Sequence, residues 1–203
     1  MELFRKKKAE QADEDRKKYN WKQNLVMDLK ELFYVLAGFM IVYMLFFRVV
    51  VVVGPSMYNT LVNGDRLLLV SSTFYTEPKQ GDIIVASKKS FENGECIVKR
   101  VIATEGQTVD IDFQQGIVYV DGKALQEDYA YTPTTLFEGV SFPLTVDEGH
   151  VFVLGDNRQS SKDSRNPQIG LIDNREILGK AIFLMSPAED EAGSFFERFG
   201  VID

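Results

Sequence analysis

The sequence predicts a mostly β protein, a coiled antiparallel β-sheet body preceded by one transmembrane helix. Three observations support this prediction: an uncharged apolar run of sixteen residues that begins at Leu32, a series of short Val- and Ile-rich segments after it, and no long amphipathic helical pattern beyond residue 54. With 203 residues, of which 45% are apolar and 26% charged, the chain has room for one ordinary folded domain and an appendage.

Residues 1–31 are polar and carry charges of both signs, nine Lys/Arg and seven Asp/Glu. This composition predicts a solvated tail. Basic residues are dense before the apolar run, whereas only Arg48 and Arg66 follow it closely. Because basic residues are retained on the cytosolic side, the tail is expected in the cytosol and residues 54–203 outside a cell membrane that the chain crosses once.

The apolar segment is predicted to be an uncleaved membrane anchor over residues 32–52. Counted from Leu32 through Val53 it contains 22 residues, which as a helix would span about 33 Å, roughly one hydrocarbon thickness. Arg48 lies near one end, where its side chain can reach the head groups. The valines that follow are β-branched, so most of them are expected in the first strand of the body. A buried core helix and a cleaved secretory signal remain as alternatives, although no A-x-A-like site follows the run.

The body is predicted to extend over residues 53–203. Its candidate strands are short, rich in Val and Ile, and bounded by Gly, Asp or Asn turns. They are residues 66–70, 82–87, 95–104, 108–113, 116–122 and 150–156. Residues 107–148 are interpreted as an inserted β subdomain, because their charged, Thr- and Gly-bearing loops separate two strongly patterned stretches.

Charge and composition exclude several classes of function. Residues 32–203 carry 14 basic and 23 acidic side chains, so the body offers no electrostatic footprint for a nucleic acid. Cys96 and His150 are the only residues of their kinds, which excludes an internal disulfide and a zinc site of ordinary composition. No metal or organic cofactor is therefore predicted. Cys96 lies in an apolar run and is expected to pack inside the body.

Ser56 is a polar residue where the pattern predicts an apolar one. It follows a candidate strand and a Gly-Pro pair, a position that is also typical of an ordinary turn serine. Gly54 leaves space for the close approach of another chain. The apolar residues Met57 and Leu61 follow, which is unusual for an exposed turn and indicates a buried environment around the hydroxyl.

Lys99 is the second polar residue in an apolar pattern. With period-two alternation, Lys99 shares one strand face with Ile97 while Arg100 shares the other with Val98, so one basic residue is buried whichever face turns inward. An edge strand whose long side chains reach solvent is the alternative. Burial among aliphatic groups disfavours the ammonium form and can lower a lysine pKa by up to ~5 units. A neutral lysine can take a proton from a serine hydroxyl in place of histidine.

The third stretch is GDNRQSSKDSR at residues 155–165. By itself it is compatible with a polar surface loop or an acidic calcium loop, but its spacing does not fit an EF-hand. Asp163 and Arg165 are close enough in sequence to pair locally.

Together these three stretches resemble the bacterial type I signal peptidases. Ser56-Met57 matches the nucleophile motif of that family, and Lys99-Arg100 matches its lysine strand motif. The third motif is matched by Gly155, Asp156, Asn157, Arg158, Ser161, Asp163, Ser164 and Arg165. The order and spacing agree over roughly residues 32–187, behind a candidate membrane anchor.

The resemblance implies a signal peptidase/LexA-like fold and a role for each matching residue. Ser56 is implied as the nucleophile and one oxyanion donor through its backbone N–H, and Lys99 as the general base. Ser161 is implied to orient the lysine amine. Asp163 and Arg165 are implied to form a salt bridge that supports the site.

Two positions depart from the family pattern. Gly54 stands where some members carry a serine whose hydroxyl is a second oxyanion donor, so that donor must come from elsewhere. Asn59 stands where many members have proline.

The apolar residues near the serine and the lysine are predicted to line shallow substrate pockets. They are Val52, Val53, Met57, Leu61, Ile97 and Val98. Shallow apolar pockets admit Ala, Gly or Ser, which matches the small-residue cleavage site of secretory signals. The resemblance thus implies a serine endopeptidase that cleaves N-terminal signal peptides from exported preproteins at the outer membrane surface. Its expected partners are those preproteins and the phospholipid bilayer, with the Sec translocon as a further candidate and no nucleic acid.

Three other functions stay open at the level of the sequence. A self-cleaving repressor shares the serine and lysine but should lack the anchor. A Ser-His-Asp hydrolase would have to use His150, and no G-x-S-x-G pattern surrounds any serine. A non-enzymatic homologue for pilus or surface-protein assembly should lack Ser56 or Lys99, whereas a specialised peptidase for a few surface proteins is not distinguished from a housekeeping one by the sequence.

Overall fold

The computed structural model describes residues 2–88, 95–188 and 198–202. It divides into two compact units, residues 1–45 and residues 46–203.

The first unit is the greater part of one helix, α1, which runs over Glu2–Phe46. Its last 26 residues, Trp21–Phe46, are long and apolar enough to cross a membrane, and none of the apolar stretch is buried inside the protein. At 1.5 Å per residue these 26 residues measure about 39 Å. A buried core helix is therefore not what this segment forms. Its insertion in a bilayer stays a prediction.

The helix ends at Phe46, six residues before the predicted end of the anchor at residue 52. Strand β1 begins at once and covers Phe47–Val51. The helix ends here because the valines that follow are β-branched, and β-branched residues favour a strand. β1 pairs antiparallel with β2.

The second unit is built from antiparallel strands. The bounds of the strands after β1 are β2 Arg66–Ser71, β3 Ile83–Ser87, β4 Cys96–Thr104, β5 Thr108–Asp112, β6 Ile117–Val120, β7 Lys123–Ala124, β8 Leu144–Thr145, β9 His150–Leu154, β10 Ile172–Asp173, β11 Ile177–Ser186 and β12 Gly200–Val201. The larger sheet has the order β1-β2-β11-β3-β4-β9-β10, with β12 beside β11. Within residues 47–88 and 95–188 of this unit, the helical element is a single 3-10 turn at Asn174–Glu176. The mostly β prediction is confirmed.

All six candidate strands of the sequence analysis are strands in the structure. The longest strand, β11, was not among them. It lies between β2 and β3 near the centre of the larger sheet, and Gly179 interrupts its apolar pattern. A Cβ at Gly179 would lie 2.2 Å from the carbonyl oxygen of Val70, so the close approach of β2 requires glycine there.

The smaller sheet has the order β7-β6-β5-β8 and falls inside residues 107–148. The two ends of this stretch meet, since Val146 N donates to Gln107 O at 2.8 Å. Ile102 and Phe152 of the larger sheet pack with its buried residues in a common cluster. The chain thus leaves the larger sheet after β4 and returns to it at β9. Its standing as an inserted subdomain stays a prediction.

A second cluster supports the region around Ser56. Val52, Met57 and Leu61 pack there against residues of β2, β3 and β11. Met57 and Leu61 are fully buried, and burial of such a side chain stabilises a fold by about 1.5–3 kcal/mol. The turn that carries Ser56 is therefore anchored by apolar residues on either side of the serine that pack in the core.

Candidate active site

Ser56 lies in a turn directly after β1, and backbone bonds hold that turn in place. Val52 N donates to Asp65 O at 2.8 Å, and Gly54 N donates to the Asn63 side chain at 3.1 Å. Gly54 has a φ of 89°, a conformation that favours glycine over any residue with a Cβ. The turn leaves Ser56 half-buried, with its hydroxyl directed at β4.

Lys99 lies within β4, which has β3 on one side and β9 on the other. Pairing with β9 begins at Arg100, so β4 has a free edge at Lys99, but the alternative in which the long side chains of such an edge reach solvent is wrong because Lys99 and Arg100 are both buried. The Lys99 side chain is only 4% exposed. Its Nζ lies 2.8 Å from Ser56 Oγ and donates to Val98 O at 3.0 Å. The structure thus brings together two residues that are 43 positions apart in the chain.

Burial lowers the pKa of Lys99 to about 8, because the ammonium form loses its hydration. The carboxylates of Asp163, Asp156 and Glu138 act in the opposite direction, and the positive charge of Arg165 lowers the pKa further. A lysine with this pKa has a sizeable neutral fraction near physiological pH, whereas a free lysine has almost none.

The stretch 155–165 packs directly against the serine turn. Asn157 N donates to Ser56 O at 3.0 Å, and the Asn157 side chain donates to Pro55 O at 3.2 Å. A Cβ at Gly155 would lie 2.5 Å from Ser56 O, so only glycine allows this approach. The stretch therefore fixes the backbone on which the hydroxyl stands.

Asp163 and Arg165 form a salt bridge, with Arg165 Nε 2.8 Å from Asp163 Oδ1, and both side chains are fully buried. Asp163 also accepts from Gly155 N at 3.0 Å. Arg165 donates to the backbone carbonyl of Arg158 at 2.9 Å. The pair therefore ties both ends of the stretch together. Its role in supporting the site stays a prediction.

A second buried salt bridge, between Arg100 and Asp156, was not predicted from the sequence. Arg100 binds Asp156 through two bonds, of 3.0 and 2.9 Å, and Thr60 donates to the same carboxylate at 2.6 Å. Arg100 is therefore the buried basic residue of the other face of β4. The signal was present in the alternation, but its partner is 56 positions away.

No hydrogen bond joins Ser161 to Lys99 among the described residues. Ser161 is buried, and its Oγ has no hydrogen-bond partner among the described residues. The oxygen rests against Gly155, where a Cβ would come within 2.2 Å of it. The contact with Lys99 that the resemblance implied is thus not among the hydrogen bonds of the lysine, whose partners are Ser56 Oγ and Val98 O.

A cleft of about 700 Å³ opens in front of the serine and the lysine. Of the six predicted pocket residues, Val53, Ile97 and Val98 line it. Val52, Met57 and Leu61 do not, because they lie in the core beneath the turn.

Cys96 also lines this cleft and is exposed, so the expectation that it packs inside the body was wrong. The physical reason is its place at the start of β4, ahead of the part of the strand that β9 covers. Paired residues begin at Arg100 on the β9 side, whereas β3 pairs with β4 from Cys96 onward. In the described residues, the first part of β4 thus keeps one unpaired edge along the cleft.

His150 lies far along the sheet from Ser56. It pairs in register with Asp173 on β10, at the end of β9 that adjoins Thr104 rather than Arg100. A Ser-His-Asp arrangement with Ser56 is therefore excluded. In the parts of the chain that the structure describes, no group of three or more His, Cys, Asp or Glu side chains is arranged to hold a metal ion.

Comparison with known proteins points to one family. A family model described as "Signal peptidase, peptidase S26" matches residues 26–186. The probable signal peptidase I-1 of Synechocystis sp. is 39% identical over 152 residues, with 70% of this chain and 74% of that protein covered. Signal peptidase I of Bacillus licheniformis is 37% identical over 149 residues, with 70% and 77% covered.

The crystal structure of a signal peptidase I from Enterococcus faecalis is 32% identical in sequence, with 52% of this chain and 97% of that chain covered. Its TM-score of 0.43 is too low to compare the two folds in detail.

Proposed function

The chain belongs to the signal peptidase family, peptidase S26, and on that basis we propose that it removes N-terminal signal peptides from exported preproteins with Ser56 as nucleophile and Lys99 as general base. The observation that carries the proposal is the 2.8 Å contact between Lys99 Nζ and Ser56 Oγ. A non-enzymatic homologue would have no need to bury a lysine against this hydroxyl, because an unpaired buried amine is costly.

The first half of the reaction transfers one proton and forms one bond. Neutral Lys99 takes the proton of Ser56 Oγ while that oxygen attacks the carbonyl carbon of the scissile peptide. The carbonyl oxygen becomes an oxyanion, which accepts a hydrogen bond from the Ser56 backbone N–H. Among the described residues no acceptor competes for this N–H.

The second half restores the enzyme. The Lys99 ammonium returns its proton to the leaving amine, the carbon–nitrogen bond breaks, and an ester to Ser56 remains. A water molecule then attacks the ester while Lys99 takes its proton, the bond to Ser56 Oγ breaks as Lys99 returns the proton to that oxygen, and the signal peptide leaves as a free carboxylate. The fixed contact between amine and hydroxyl supplies the orientation for both halves.

The shape of the cleft supports an extended substrate with small side chains. A peptide that lies along the unpaired edge of β4 can form main-chain hydrogen bonds with it, as in strand addition. Val53, Ile97 and Val98 offer apolar contacts beside it. This environment suits the Ala, Gly or Ser of an A-x-A-like cleavage site.

The helix Trp21–Phe46 supports a membrane location. We place the N-terminus in the cytosol and the body at the outer surface, where a membrane-inserted signal emerges. The bilayer is then a partner in its own right, and the Sec translocon is a candidate for delivery of the preprotein.

The test is incubation of the purified full-length chain in detergent with a precursor that carries an A-x-A site. Wild type is expected to release the mature protein, and Ser56→Ala and Lys99→Ala are expected to lose cleavage by a factor of at least about 10³ while remaining folded. Ser141→Ala and Lys123→Ala change exposed residues of the same types and serve as matched controls.

Full cleavage by a folded Ser56→Ala or Lys99→Ala variant would show that the replaced residue is not catalytic, and would contradict the proposed mechanism. No cleavage by the folded wild type would instead favour the non-enzymatic assembly homologue.

A further inference from the structure

One wall of the cleft in front of Ser56 carries a basic side chain that the proposed reaction does not use. Lys162 is exposed and lines this cleft. It belongs to the 155–165 stretch. The family motif that this stretch matches includes Ser161 and Asp163, on either side of Lys162, but not Lys162 itself.

The backbone around Lys162 is held in place by the residues before and after it. Ser161 and Asp163 are both buried, and Asp163 forms the ion pair with Arg165. Arg165 also donates to the backbone carbonyl of Ser161 at 3.3 Å. The Lys162 side chain is therefore presented to the cleft from a fixed backbone.

Lys162 lies at the end of the cleft where Ser56 is found. A Cβ at Gly155 would lie 2.5 Å from Ser56 O and 2.2 Å from Ser161 Oγ, so these two oxygens are within about 5 Å of each other. The Cα of Lys162 follows the Cα of Ser161 at about 3.8 Å. The long lysine side chain can therefore reach the residues of a substrate that adjoin the scissile bond.

Glu95 marks the other end of the cleft. It also lines the cleft and precedes Lys99 by four residues, about 13 Å along an extended chain. In the function proposed above, the acyl side of the substrate with its A-x-A site lies along the β4 edge between these two residues. The residues that follow the scissile bond then leave past Ser56, toward the wall that Ser160 and Lys162 form.

We infer that Lys162 is a specificity-determining residue, which favours preproteins whose mature part begins with acidic residues. Its ammonium group would pair with a carboxylate two or three residues after the scissile bond. An ion pair between such exposed groups changes a rate constant by roughly two- to fivefold rather than by orders of magnitude. The inference rests on the peptidase function proposed above and names its substrate class more closely.

The test uses the full-length chain in detergent and three precursors that share an A-x-A site. They differ in the second and third residues after the cleavage site, which are Asp-Asp, Asn-Asn or Lys-Lys. Two adjacent positions are changed because successive side chains of an extended peptide point to opposite faces. The measured quantity is the ratio of kcat/KM for the Asp precursor to that for the Asn precursor.

Replacement of Lys162 should remove the preference for acidic residues. In Lys162→Gln the ratio is expected to fall roughly two- to fivefold below that of wild type, because the attraction to the substrate carboxylate is lost. In Lys162→Glu it should fall further, and the Lys precursor should become the best substrate of the three. Cleavage of the neutral Asn precursor should change little in either variant.

Three controls separate the charge of Lys162 from other effects. Lys162→Arg keeps the charge and should keep the wild-type ratio. Lys123→Gln removes an exposed lysine of β7 that does not line the cleft, and it should also leave the ratio unchanged. A rise in salt from about 0.05 to about 0.5 M should lower the ratio more in wild type than in Lys162→Gln, since salt screens exposed charges.

A wild-type ratio in both Lys162→Gln and Lys162→Glu would overturn the inference. An equal fall of the ratio in Lys123→Gln would also overturn it, because the effect would then reflect net charge alone. In both cases the Asn precursor is still cleaved and the peptidase function stands. Absence of cleavage of all three precursors by the folded wild type would instead overturn the peptidase function, and the charge preference with it, so the two failures are distinguishable.

Discussion

In the proposed mechanism Lys99 activates Ser56, in a chain whose single histidine lies away from the site. The amine is 4% exposed and lies against Ser56 Oγ, and burial lowers its pKa to about 8. A pKa of about 8 leaves a sizeable neutral fraction of the amine at physiological pH, which matches the task of a general base. Burial of this amine lowers the free energy of unfolding of the protein.

The pH dependence of cleavage should report this amine. Since the reaction needs neutral Lys99, kcat/KM should fall as the pH falls through the Lys99 pKa, with a limb near pH 8 rather than near 10.4. Cleavage of a precursor between pH 5 and 10 measures it. A limb that disappears in His150→Ala would contradict the lysine assignment.

Replacement of Lys99 by an apolar residue should abolish cleavage and raise the free energy of unfolding. The folded-state pKa lies below the unfolded one, so at pH 7 the folded state bears a cost that the unfolded state does not, and that cost diminishes as the pH rises from 8 to 10. Lys99→Met should therefore abolish cleavage and raise the free energy of unfolding by about 1–3 kcal/mol at pH 7. Denaturant unfolding measures the gain, and exposed Lys123→Met should change stability by less than about 0.5 kcal/mol.

Two elements of the fold position the polar groups around Ser56, namely β4 and the 155–165 stretch. β4 supplies Lys99, and the stretch supplies the backbone contact from Asn157 to Ser56 O. The Asp163–Arg165 pair holds the stretch in its buried course. Removal of one partner of such a pair destabilises the fold, because the other charge then stays buried without a counter-charge.

Asp163→Asn should lower the free energy of unfolding by about 3–5 kcal/mol, because Arg165 then remains buried without its counter-charge. Thermal or denaturant unfolding gives the value. Asp173→Asn removes one partner of the Asp173–Arg175 pair, in which Arg175 is exposed, and should cost much less. Equal losses in the two variants would contradict the account of the buried pair.

At the scale of the whole molecule, the hydrophobic core belongs to one of the two units. The three core clusters take all of their residues from the unit that begins at Phe46. The unit therefore has its own hydrophobic core and does not depend on α1 for burial of apolar surface.

A chain that lacks residues 1–45 should fold and cleave a short soluble peptide at a rate close to that of the full chain. On a precursor inserted in vesicles it should be slower by roughly tenfold or more, because the anchor no longer holds enzyme and substrate on the same surface. Circular dichroism and parallel cleavage assays check both parts. Equal rates on the inserted precursor would remove the anchor from the mechanism.

The sequence by itself determined the class of the fold, the membrane-length apolar helix and the two residues that meet in the site. Val and Ile patterns depend on local propensity and period, so six strands were predictable from short windows. Ser56 and Lys99 were predictable because each interrupts such a window with a polar group.

Only the tertiary structure decided which side chains face the cleft and which polar groups meet. Val52, Met57 and Leu61 look like pocket residues in the sequence, yet β2, β3 and β11 cover them. Cys96 looks buried but lies on an edge that β9 does not reach. The physical reason is that burial and hydrogen bonding across a sheet depend on neighbours distant in the chain, and no local pattern contains them.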